Sequence, residues 1–155
     1  MTSDRITELA GIKAIDTPKL RADILAMTDA ASAAVLRPKD TGAFSHGQRA
    51  GLAARIARLN GKEDLAQHYG QDLSDDDTKL ADPSFDGGAD ERLQAMLAFT
   101  DRVAVSPKDA TTEDIESLSN AGIADADIVR LTQLNAFLAY EIRLVEGLRL
   151  MRTDP

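Results

Sequence analysis

Residues 125–151 read DADIVRLTQLNAFLAYEIRLVEGLRLM, and this stretch decides the fold. Ile128, Leu131, Leu134, Leu138, Ile142 and Val145 recur at the three- and four-residue spacing of one helix face. Phe137, Leu144 and Leu148 widen that stripe to a second face. A helix apolar on two sides sits at the centre of a bundle or is shared with another subunit. The spacing predicts a helix that opens at Asp125 and runs to about Met151, the longest of the chain.

Working back from it, the same periodicity recurs and strand signals are weak. Thr111-Thr112-Glu113-Asp114 has capping-box form, Ile115 and Leu118 then face inward, and Gly122 supplies a left-handed stop. Leu93, Met96, Leu97, Thr100 and Val103 mark a helix that ends before Pro107. Gln71 to Asp90 reads as an acidic loop, with Asp75-Asp76-Asp77, Pro83 and Gly87-Gly88. Ser45-His46-Gly47-Gln48 is a second capping box, followed by a stripe of Leu52, Ala53, Ile56 and Leu59. Asn60-Gly61 breaks that helix, and Glu63 to Tyr69 resumes it. Thr17-Pro18 starts a helix with Leu20, Ile24, Met27, Ala31 and Val35 on one face, ended by Pro38. Asp4 to Ala10 is a short helix stopped by Gly11. The expectation is one all-α domain over residues 1–155, of about six to seven helices.

Composition narrows the function classes. There is no cysteine, which excludes disulfides, zinc thiolates and thiol redox pairs. The net charge of −8 repels phosphate backbones and anionic membranes, so neither nucleic acid nor membrane is an expected partner. With 4% aromatics and no Trp, stacking platforms for bases are scarce. The N-terminus lacks a signal-peptide core and no apolar run spans a bilayer, so a soluble, cytoplasmic protein is expected.

Few side chains suggest chemistry. The three aspartates lack the alternating ligands, sharp Gly and closing Glu of a calcium loop, and read as solvated. His46 falls in the first turn of its helix and carries no role. His68 and Glu141 are the candidates for moving a proton. Asn135, Tyr140 and Arg143, among the apolar residues of the last helix, are the candidates for binding, or else for interhelical hydrogen bonds at an interface. No nucleophile elbow, phosphate loop or metal motif is present, so no cofactor or metal is expected.

Several segments in order carry a resemblance. Residues 4–12 (DRITELAGI), 44–49 (FSHGQR) with 53–61 (AARIARLNG), 111–123 (TTEDIESLSNAGI) and 140–148 (YEIRLVEGL) resemble the carboxymuconolactone decarboxylase family, which includes alkylhydroperoxidase D-like proteins. The resemblance implies an all-α, alkylhydroperoxidase D-like bundle and a homo-oligomer. It also implies a Cys-x-x-Cys-x-x-x-His peroxidase site with an upstream Glu, where a thiolate attacks the peroxide and a second thiol resolves it. This chain departs there. With His68 at the family His, the cysteine positions hold Gly61 and Asp64; in the neighbouring register they hold Lys62 and Leu65, with Tyr69 at the His. The upstream Glu falls at Arg49 or Ala50.

The expectation is therefore a fold without its thiol peroxidase chemistry. One reading is a non-redox binding or assembly subunit, with a cysteine-bearing relative as a possible partner. A second is a cysteine-independent lyase or hydrolase acting on a small lactone or organic acid, Arg143 holding a carboxylate and His68 or Glu141 moving a proton. A third is a purely structural role.

Overall fold

The computed structural model describes residues 4–12 and 22–151. Among them the regular structure is helical throughout: α1 (Asp4–Ala10), α2 (Ala22–Leu36), α3 (His46–Leu59), α4 (Glu63–Tyr69), α5 (Asp75–Leu80), α6 (Glu91–Val105), α7 (Thr112–Asn120) and α8 (Asp125–Leu150), with a 3₁₀ turn at Pro107–Asp109. No helix of the described residues is long and apolar enough to cross a membrane.

The caps explain the boundaries. Ser45 accepts from the Gln48 backbone N–H at 3.1 Å, and the Gln48 side chain accepts from the Ser45 N–H at 3.0 Å. Asp90 caps α6 by accepting from the N–H groups of Arg92 and Leu93. Gly61, with φ +70°, turns the chain between α3 and α4. The start at Thr17-Pro18, and Leu20 with it, lie outside the described residues.

α3 is the centre of the bundle, surrounded by α2, α4, α5, α6 and α8. Residues 51–57 are all buried, and Leu52, Ala53, Ala54 and Ala57 are wholly so. Small residues permit this closeness. A Cβ on Gly51 would stand 2.6 Å from the Asp77 carbonyl oxygen, and one on Gly47 2.1 Å from the Asp77 carboxylate. α8 buries the stripe expected of it, Ile128 to Val145, together with Phe137 and Leu148. Leu144 is only partly buried.

Three expectations need correction, and a fourth is extended. Gln71–Asp90 is not all loop: Asp75–Leu80 forms α5, which raises the count to eight. Ser74 caps it, and its first-turn aspartates sit at the positive end of the helix dipole. α2 packs through Leu25, Thr28 and Ser32, leaving Met27 57% exposed; the inward face is about one residue round from the apolar stripe, because Thr28 meets a polar partner on α8. On α7 Leu118 is buried, but Ile115 is 40% exposed. The bundle centre is the alanine-rich α3 as well as α8, since small side chains let several helices approach it at once.

Two buried arginines hold the connections. Arg55 grips Asp101 with both arms, at 2.5 and 2.7 Å. It also donates to the carbonyls of Asp82, Pro83 and Phe85, at 2.6, 3.2 and 3.0 Å. Arg49 donates to the carbonyls of Phe44, Val35 and Thr41, at 3.0, 2.9 and 2.7 Å. A planar fork with five N–H groups suits such turns, where each loop carbonyl needs a donor.

Replacing Arg55 with Met is expected to cost about 3–5 kcal/mol, because Asp101 and three carbonyls lose their donor together. Urea unfolding of Arg55→Met and Arg55→Lys checks this; Lys should recover only part of the loss. Gly51→Ala is expected to cost about 1–3 kcal/mol through overpacking against the α5 backbone. Gly147→Ala, which meets nothing within 4 Å, is expected to stabilise by about 0.5–1 kcal/mol.

Candidate functional site

A cavity of about 530 Å³ opens where α1 to α4 converge. α1 contributes Arg5; α2 contributes Asp29, Ser32, Ala33 and Leu36, with Arg37 just beyond its end. α3 contributes His46 and Ala50 from its first turns, and the end of α4 brings His68 and Tyr69, followed by Gln71 and Asp72. Both histidines of the chain thus meet one cavity, although 22 positions separate them (68 − 46).

Behind this wall lies Glu141 of α8, fully buried. One carboxylate oxygen pairs with Arg5 and the other accepts from the Tyr69 hydroxyl. Arg5 also donates to Asp29 at 3.1 Å, so one guanidinium joins α1 to α8 and α2. Burial opposes the charge on Arg5, but the contacts with Glu141 and Asp29 outweigh it and raise its hold on the proton. Burial and the Glu141 charge and hydrogen bond push the Tyr69 phenol far above its ordinary 10.0, so Tyr69 stays a proton donor to the carboxylate.

His68 stands on the wall with no side-chain hydrogen-bond partner among the described residues, its ring edge-on to Tyr69 at 5.4 Å. Burial and the Arg5 charge lower it below its ordinary 6.5, against the opposing charges of Glu141 and Glu8. The ring is therefore neutral at pH 7 and able to accept a proton. The Nε2 of His46 lies 2.9 Å from the Pro38 carbonyl.

The structure sorts the sequence candidates. His68 and Glu141 belong to one constellation, His68 on the cavity and Glu141 beneath it. Asn135 is buried elsewhere on α8; its Nδ2 donates to the Leu131 carbonyl at 3.1 Å and its Oδ1 has no partner among the described residues. Tyr140 is 42% exposed, with its hydroxyl 2.7 Å from Thr28 Oγ1. Arg143 is exposed, reaches back to the Ala139 carbonyl at 3.4 Å, and lies outside the cavity lining. It is therefore not brought together with His68, and the arginines that do reach the cavity are Arg5 and Arg37. Sequence reasoning missed Arg5, Arg37 and Tyr69. Tyr69, one of two tyrosines and adjacent to His68, carried the one usable signal.

The positions expected to bear thiols have structural duties. Gly61 makes a turn and Leu65 is buried. Lys62 pairs with Glu146 at 2.8 Å, and Asp64 pairs with Arg149. Arg49 clamps the α2–α3 connection, and Ala50 lines the cavity. Among the described residues no group of three or more His, Asp or Glu is placed to hold a metal ion. No family model, no curated protein and no solved structure matches the chain.

Removing the phenol that serves Glu141 leaves a buried carboxylate oxygen without its donor. Tyr69→Phe is expected to lose about 1–3 kcal/mol in urea unfolding. Because the folded-state value is raised, this stabilisation is fully present below the phenol's ordinary 10.0 and is lost as pH rises above it. A spectrophotometric titration should find wild type and Tyr69→Phe releasing the same number of phenol protons while folded; an extra proton from the folded wild type would show that Tyr69 ionises freely.

Proposed function

We propose that the chain is a thiol-independent, small-molecule-binding member of the carboxymuconolactone decarboxylase or alkylhydroperoxidase D-like family, and that the cavity between α1 and α4 is its binding site. The observation that carries the binding reading is the cavity itself. It has room for a small organic ligand, and its wall brings together both histidines, two arginines and a tyrosine among apolar residues. The family part rests on the order of the resembling segments and on the all-helical architecture. A homo-oligomer in the cytoplasm goes with it. Val129 and Tyr140, 55% and 42% exposed on the outer face of α8, are surfaces that a second copy would cover. A cysteine-bearing relative is the alternative companion.

A second reading, catalysis on a small lactone or organic acid, is favoured by one observation. His68 is unpartnered, open to the cavity and neutral at pH 7, as a general base must be. Arg37 or Arg5, in place of Arg143, would then hold the acid group.

A thermal-shift screen of small polar metabolites against the purified chain tests the binding reading. Hits should be lost in a variant that fills the cavity, such as Ala33→Phe. Hits that survive in the filled variant place the ligand elsewhere. With a dithiol reductant the chain is expected to turn over no organic hydroperoxide, and measurable turnover would overturn the thiol-independent reading. If a lyase or hydrolase activity is found, its rate should rise with pH through values below 6.5 and flatten above, as His68 becomes neutral. His68→Gln should abolish that activity while leaving binding in place.

A further inference from the structure

Four charged side chains line the cavity: Arg5, Arg37, Asp29 and Asp72. Two of them are already matched. Arg5 holds Asp29 and, behind the wall, Glu141. The other two are not. Among the described residues neither Arg37 nor Asp72 has an ion-pair or side-chain hydrogen-bond partner, and they do not pair with each other. Both are exposed, so at its mouth the cavity presents one cation and one anion without a protein partner among the described residues.

The Asp72 backbone adds a second observation. Its φ is +59°, and among the described residues it is the one non-glycine in the left-handed region. Aspartate tolerates that region better than most residues, but glycine is the usual choice. Side chains in left-handed positions often hydrogen-bond locally, and this carboxylate does not. A strained backbone that presents an unpartnered carboxylate to a cavity is a pattern found at ligand-holding positions.

Charge then decides the ligand class. A simple carboxylate would satisfy Arg37 but would meet the charge of Asp72, whereas Asp29 and Glu141 are already held by Arg5. A simple amine would satisfy Asp72 and leave Arg37 without a partner. A ligand carrying both signs satisfies each free group and adds no net charge to the site. Between them the wall offers Ala33, Leu36 and Ala50, which suit an apolar side chain.

Building on the cavity as the binding site, we infer that its ligand is a zwitterion of the amino-acid class, the carboxylate held by Arg37, the ammonium by Asp72 and an apolar side chain against Leu36. This assigns Arg37 and Asp72 as the residues that set specificity. His68, with its free ring nitrogen, faces the bound molecule from α4.

Isothermal titration of the full chain with three matched sets of probes tests this. Leucine and phenylalanine carry both charges, isocaproate and phenylpropionate lack the ammonium, and isoamylamine and phenethylamine lack the carboxylate. The amino acids are expected to bind about tenfold or more tighter than either single-charge analogue, as the loss of one charge-assisted contact implies. Arg37→Gln should erase the advantage of amino acid over amine. Asp72→Asn, which keeps a side chain suited to the left-handed turn, should erase the advantage over carboxylate, and both variants should keep the wild-type melting temperature. Analogues that bind as tightly as the amino acids overturn the zwitterion and leave the cavity's binding role standing. So does a screen in which other compounds bind while no amino acid does. Variants that leave all affinities unchanged overturn the assignment of Arg37 and Asp72. If no compound of any class binds, the cavity's binding role falls as well.

Discussion

The contact between Glu141, Arg5 and Tyr69 is the constraint on which the rest of the site depends. A carboxylate sealed inside a helical bundle is costly unless its oxygens are met by a cation or by donors. Here one oxygen takes the guanidinium of α1 and the other takes the phenol at the end of α4. Two helices are thereby committed to one point on α8, and Asp29 brings in a third. These attachments hold three of the cavity's walls, α1, α2 and α4, in register. A short α1 of seven residues has little independent tendency to be helical, so its docking relies on this pair and on the burial of Ile6 and Ala10.

Much of the fold was legible in the sequence because local chemistry decided it. Gly11, Gly61 and Gly122 all take positive φ where the helices stop, and Ser45-x-x-Gln48 closes the capping box it spells. α5 was missed although Ser74 caps it, because a six-residue helix dominated by acids has no apolar stripe to announce it. The inward face of α2 was misplaced because Thr28 turns inward to meet Tyr140, and a hydrogen bond across 112 positions leaves no periodicity behind. The site followed the same rule. Glu141 stood out as a polar residue in an apolar helix, and His68 as one of only two histidines. Arg5 could not, since its partner lies 136 residues away and nothing near it marks it as more than a surface charge.

The start of α4 is tied to its neighbours by charge and by packing. Lys62 and Asp64 link the start of α4 to Glu146 and Arg149 near the end of α8, and Leu65 fills the core beneath. That region serves as a brace, and the groups that meet the cavity, His68 and Tyr69, lie at the other end of the helix. The polar part of the cavity wall that α4 supplies therefore sits at its C-terminal end, where the turn through Gly70 and Asp72 opens onto the cavity.

α5 has one more consequence. Six residues are too few to hold a helix in water, so α5 owes its existence to the seat that Gly47 and Gly51 provide on α3. Its only buried residue is Leu80. The energy needed to lift it is therefore a fraction of that needed to unfold the bundle, and its amides should exchange with solvent through a local opening while those of α3 wait for global unfolding. Each such opening bares the glycine face of α3. How often that face of α3 meets solvent is thus set by three aspartates, a serine cap and the absence of two methyl groups.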